Sequence, residues 1–153
     1  MKRFGFKLQP LLNYREYLER VAKQNTAKAQ MDVALCEKQI KELKNTREQH
    51  LEKVQNELEQ GISSLQFRQH RDYLDAVEIY MEQEKSRKIK LSRILKEKLL
   101  ELKKKSVEKK AMEIYRERLK TEYTRNMLAA EQKVMDEISS LKTARKVSHD
   151  ASE

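Results

Sequence analysis

The chain has 153 residues, 39% of them charged and 38% hydrophobic, and its 34 Lys and Arg outnumber 25 acids to give a formal charge of +9. Gly5, Pro10 and Gly61 are its only Gly and Pro residues, where an average chain carries roughly 12% of the two together. A sheet protein, a dinucleotide-binding fold or a multi-turn bundle needs more punctuation than this.

The basic start, Met1-Lys2-Arg3, is followed by Asn13, Arg15 and Glu16, which interrupt any signal-peptide core. No apolar run approaches the roughly 18–20 residues of a membrane span. Cys36, the single cysteine, has no intrachain disulfide partner. The expected chain is soluble and cytoplasmic.

From about residue 8 to residue 60, apolar residues recur in steps of three and four. Leu11, Tyr14, Leu18, Ala22, Ala29, Val33, Cys36, Ile40 and Leu43 lead to Leu51, Val54 and Leu58, with Asn25 and Arg47 as interruptions. That spacing draws one stripe along a helix. Lys, Glu, Gln and Arg fill the intervals and favour helix themselves. A turn is expected over about residues 61–72, where Gly61 suits a helix end and Asp72 and Asp75 suit the first turn of the next helix. The second stripe, over about residues 73–146, comprises Leu74, Val77, Met81, Leu91, Leu95, Leu99 and Leu102, then Met112, Tyr115, Leu119, Tyr123, Met127, Val134, Ile138 and Leu141. Glu84 and Lys88 interrupt it, and the pattern is lost over residues 147–153, which are expected to fray.

A narrow stripe on a lone helix stays wet, so the two are expected to bury one another. The predicted fold is all-α: one domain, residues 1–153, formed by two long helices in an antiparallel coiled-coil hairpin. At 1.5 Å per residue the arms measure about 75 Å and about 110 Å. A turn centred near residue 66 sets position 10 opposite roughly position 122, so the second helix is expected to overhang from Tyr123 to Leu141 with an apolar stripe exposed. Such a stripe ordinarily marks a partner surface.

Charge is concentrated in one place. Twelve Lys and Arg against three acids lie between Lys85 and Lys110, a local excess equal to the whole net charge of +9. With Leu91, Leu95, Leu99 and Leu102 facing inward, Lys85, Lys90, Arg93, Lys96, Lys103, Lys104 and Lys105 are expected on the outer faces. Aromatic residues are absent from 81 to 114, and a nucleic-acid helix usually sets aromatics or polar readers among its bases. A solvated face or a site for an acidic protein is the preferred reading. A basic module for nucleic acid or an anionic membrane surface is the alternative.

No phosphate-binding Gly-rich loop or nucleophile elbow can be built with glycines only at 5 and 61. His50, His70 and His149 are scattered without ligand spacing, so no catalytic, metal or cofactor site is expected. A polar residue on the seam is expected to fix register at some cost in stability.

Three motifs resemble the FliJ family, the coiled-coil proteins of flagellar export. The first is Phe4-x-Phe6-x-Leu8-Gln9-x-Leu11-Leu12-x-x-Arg15. The second is Gly61-Ile62-Ser63 with Phe67-Arg68, Tyr73-Leu74, Val77 and Glu78. The third is Glu131 with Met135-Asp136-Glu137-Ile138. The resemblance implies a non-enzymatic stalk of the flagellar type III export apparatus, at the inner-membrane base, that binds and assembles the export ATPase hexamer. It further implies contacts with the membrane export gate protein FlhA and with export chaperones. The ATPase-ring surface it suggests is Phe4, Phe6, Leu8, Leu11, Leu12, Arg15, Tyr123, Met127, Val134, Ile138 and Leu141. The gate surface it suggests is Tyr73, Val77 and Tyr80, next to a position where the family often has an aromatic and this chain has His70.

Overall fold

A computed structural model describes residues 4–150, with side chains described to residue 145. It contains two helices, α1 (Gln9–Gln60) and α2 (Ser64–Asp150), and no strand among the described residues. Leu8 starts α1: its carbonyl accepts from Leu12 N–H, and Gln9 N–H closes a turn onto Phe6 O. Pro10 falls in the first helical turn, where its missing N–H is not required.

The connection is shorter than the sequence suggests. α1 stops at Gln60, and Gly61 follows with φ +88°, the left-handed conformation that ends helices. Its N–H reaches Leu58 O at 3.2 Å. α2 then begins at Ser64, so the expected turn over 61–72 is corrected to residues 61–63. A capping box supplies the reason. Ser63 N–H donates to Gln66 Oε1 at 2.9 Å, and Gln66 N–H donates back to Ser63 Oγ at 3.2 Å. The Ser-x-x-Gln signal takes precedence over the acids: Asp72 and Asp75 lie inside α2, whose first turn carries no acidic residue. At the far end α2 continues to Asp150, past the expected boundary at 146; residues 151–153 of the expected frayed tail lie outside the described residues.

The chain divides into two compact units, one spanning Tyr17–Ser106 and the other formed by the chain up to Glu16 with Val107 onward. Within Tyr17–Ser106 the helices run antiparallel, as Glu19 meets Ser106, Thr26 meets Lys98 and Glu37 meets Lys88. One continuous run of α1 positions withdrawn from solvent is Glu19, Ala22, Thr26, Ala29, Val33, Cys36, Ile40, Leu43, Arg47, His50, Val54 and Glu57, with Leu18, Val21, Gln39 and Thr46 half-buried beside it. On α2 the matching run is His70, Leu74, Val77, Met81, Glu84, Lys88, Leu91, Leu95, Lys98, Leu102 and Lys105, with Lys85 and Ser106 half-buried beside it. Both sets alternate steps of four and three without a break, the heptad repeat of a coiled coil. Cys36, Ile40 and Met81 form the buried centre, with Leu43 and Leu91 against it.

The seam therefore differs from the apolar series in a systematic way. Glu19, Thr26, His50 and Glu57 hold inward positions that the series assigned to Leu18, Asn25, Leu51 and Leu58, and Lys98 holds the one assigned to Leu99. Leu51, Leu58 and Leu99 are exposed. A heptad fixes position by count, and an apolar neighbour one residue away does not displace it.

In the other unit, α1 and α2 are again antiparallel. Arg15 is ion-paired with Glu108. Phe6 sits edge-on to Tyr115 at 6.2 Å, and Phe4 is tilted against Tyr123 at 5.7 Å. Leu12 is fully buried.

Candidate functional site

Two surfaces and one polar cluster carry the chemistry of the chain. The first surface is built at the N-terminus. Phe4, Phe6 and Leu8 precede α1 and lie along Tyr115, Leu119 and Tyr123 of α2, around an open, mainly apolar notch of about 640 Å³ edged by Glu122 and Asn126. Tyr115, which had no assigned role, belongs here as the partner of Phe6. Tyr123 is held against Phe4, so the point where α2 loses its partner moves from Tyr123 to beyond it. Met127 and Glu131 are half-buried, and every described residue from Gln132 to Arg145 is exposed. Val134, Ile138 and Leu141 lie on that part of α2, with Leu128 and Met135 also exposed. The other expected ring-contact residues are differently placed. Leu8 and Leu11 are exposed, Leu12 is 0% exposed within the seam, and Arg15 is engaged by Glu108.

The turn-proximal surface comes from α2. Tyr73 and Tyr80 are exposed, two heptad-equivalent positions on one side of the helix. Val77, expected beside them, is only 6% exposed; it is a seam residue facing α1, and that expectation is corrected. Tyr73 also lies on the His50 ring, 4.3 Å between centroids.

Behind Tyr73 lies the polar cluster. His70 Nε2 approaches Glu57 Oε2 at 2.8 Å and His70 Nδ1 approaches His50 Nε2 at 3.1 Å. One tautomeric arrangement satisfies both contacts, with His70 Nε2–H donating to Glu57 and His50 Nε2–H donating to His70. Burial, then His70 and Lys53, hold the His50 pKa below its ordinary value, with Glu57 opposing. His70 thus ties α1 to α2 near the turn. No group of three or more His, Cys, Asp or Glu suited to hold a metal occurs among the described residues.

Cys36 is buried and donates its thiol toward Glu84, with the backbone carbonyl and Oε2 both at 3.3 Å. Burial first, and then the Glu84 carboxylate, push the thiol pKa up, against smaller opposing effects of Arg87 and Lys88. A raised pKa suppresses the thiolate that would react. Cys36 is a core residue.

The basic stretch is sorted by partner. Lys85, Arg87, Lys88, Lys98, Lys109 and Lys110 each pair with an acid. Lys105, expected outside, is half-buried on the seam and also engaged. Lys90, Arg93, Lys96, Lys103 and Lys104 are exposed. None of these five forms an ion pair among the described residues.

No helix among the described residues is long and apolar enough to cross a membrane. The sequence model of the family described as "Flagellar FliJ protein" matches residues 4–148. Among solved structures, the chain is similar to one described as a YscO homologue, CT670, from Chlamydia trachomatis. The two share 20% identity and a TM-score of 0.51 over 91% of this chain and 94% of the other. That likeness concerns the fold alone. A sequence search of curated proteins returns no match.

Proposed function

Since the chain belongs to the FliJ family and is thereby a component of type III protein export, we propose that it is a non-enzymatic stalk that promotes assembly of the export ATPase hexamer and connects it to the export gate. The observation that carries this reading is the exposed apolar series Val134, Ile138 and Leu141 on the part of α2 beyond its last half-buried residue. Three large apolar side chains repeated at helical spacing gain little from water and much from a cleft between subunits. Contacts inside a ring must serve several identical subunits from one asymmetric helix. Side chains that adapt, such as Met127 and Met135, suit that demand.

The aromatic end at Phe4, Phe6, Tyr115 and Tyr123 extends the same surface, and its notch can take an apolar side chain of the ATPase. Tyr73 and Tyr80, exposed near the turn, are the proposed contact for the gate, FlhA, and the export chaperones share that end. The protein then acts at the inner-membrane base of the export apparatus.

The test uses the export ATPase with the full chain. Addition of the chain is expected to raise both hexamer formation and ATP hydrolysis. The triple variant V134D/I138D/L141D is expected to abolish both effects while leaving helicity unchanged, because the three sites are outside the seam. Undiminished stimulation by that variant would defeat the assignment of this surface.

A further inference from the structure

We propose that the outward face of α2 between Ile89 and Lys104 is a docking site for an acidic amphipathic helix of a partner protein. This site is separate from the ring and gate surfaces and does not depend on either.

The seam of α2 in this region is Lys88, Leu91, Leu95, Lys98 and Leu102, and the heptad therefore directs Ile89, Arg93, Lys96, Leu100 and Lys103 to the opposite side. Ile89 and Leu100 are 65% and 61% exposed, more than most large apolar residues of the chain. Nothing in the hairpin covers them. Around them lie Lys90, Arg93, Lys96, Lys103 and Lys104, the five bases of the stretch that form no ion pair among the described residues. The remaining bases of the stretch are neutralised locally, Lys98 by Glu101 at 3.0 Å and Lys88 by Glu37 at 2.8 Å. One face thus combines a net positive potential with two unburied apolar anchors.

Charge complementarity requires an anionic partner, and the anchors decide which kind. A phosphate backbone gains from the bases but nothing from Ile89 and Leu100. A membrane-surface helix separates a continuous apolar face from its lysines, whereas here Arg93 and Lys96 stand between the two apolar residues along the same line. A helix spanning about four turns, with apolar residues at seam spacing and Glu on both flanks, matches both features. Its apolar residues cover Ile89 and Leu100 while its acids meet the bases, the rim arrangement that sets partner choice in coiled coils.

The experiment titrates the full-length chain against a labelled synthetic helix with Leu at its a and d positions and Glu at e and g, flanks that keep the peptide from pairing with itself. Saturable binding of one peptide per chain is expected at low salt. K96E/K103E/K104E is expected to weaken it by about tenfold or more. Ile89→Ser with Leu100→Ser, which leaves the charge unchanged, is expected to weaken it by about threefold or more. Circular dichroism of each variant confirms that the hairpin persists. An absence of peptide binding by the folded wild-type chain overturns the proposal. So does binding indifferent to the serine substitutions, which reduces the face to charge alone. Tighter binding of a DNA duplex, or of vesicles containing phosphatidylserine, through the same bases overturns it in favour of a phosphate-bearing partner.

Discussion

Several polar residues of the seam are answered by a group across the hairpin. Glu19 accepts from Ser106 Oγ at 2.7 Å, and Thr26 Oγ1 lies 3.2 Å from Lys98 O as well as 2.8 Å from Ala22 O. A buried polar group costs free energy when unsatisfied, so each pair penalises a slip of one helix along the other. The His50–His70–Glu57 group is the titratable instance. Because the folded pKa of His50 lies below its ordinary value, the unfolded chain takes up its proton at higher pH than the folded chain does. Stability from this site is full above about pH 6.5 and is lost as pH falls from there through the folded value. Thermal unfolding between pH 8 and pH 5 should record a drop in Tm that His50→Gln flattens; an unchanged slope in the variant would exclude His50 as the source. Cys36 gives a complementary expectation. Its buried thiol should resist alkylation near neutral pH in the folded chain and react promptly in denaturant.

At the scale of the helix, periodicity and local composition can be separated. The sequence supports two helices and their antiparallel pairing directly, because a stripe of three- and four-residue steps has few other uses. The inward residues were legible where the apolar residue and the heptad position coincide, as at Ala22, Cys36, Ile40, Val54, Val77 and Met81, and where a polar residue interrupts the stripe in register, as at Arg47, Glu84 and Lys88. At Glu57 a polar residue holds the seam position while Leu58 stands beside it exposed, and hydrophobicity alone selects the wrong one. Denaturation separates the two. Ile40→Ala should cost about 2–4 kcal/mol, while Leu58→Ala, removing a side chain 49% exposed, should cost no more than about 0.5 kcal/mol. Equal costs would mean that the heptad is misplaced. The start of α2 is encoded in Ser63-x-x-Gln66, whose reciprocal bonds outrank the acids at 72 and 75 as a helix-start signal. Ser63→Ala should destabilise by about 1 kcal/mol. Gly61→Ala should cost a similar amount, through its φ of +88° rather than through crowding, since an added Cβ meets nothing within 4 Å.

Across the whole molecule, burial and sequence pattern end at different residues. The apolar stripe of α2 continues to Leu141, but among the described residues the last half-buried ones are Met127 and Glu131. The arm-length argument anticipated an unpartnered end and misjudged its start, because it counted from residue 10 and left out the segment before α1, where Phe4 packs against Tyr123. The aromatic contacts before α1 were not legible at all, since no periodicity extends into that segment. This division has a measurable consequence. A helix without tertiary partners depends on propensity and on i,i+4 pairs, which stabilise by only about 0.2–0.5 kcal/mol each. Amides of α2 from Lys133 to Arg145 should therefore exchange hydrogen fastest within the helix, while those near Cys36 and Met81 are the most protected. Removing everything after Gln132 should leave Tm within about 2 °C, because no buried contact is lost. If the export ATPase uses this segment, its addition should raise protection from Lys133 to Arg145 selectively. Protection rising instead around Tyr73 and Tyr80 would move the ATPase contact to the turn-proximal surface and overturn the proposed assignment of the two surfaces.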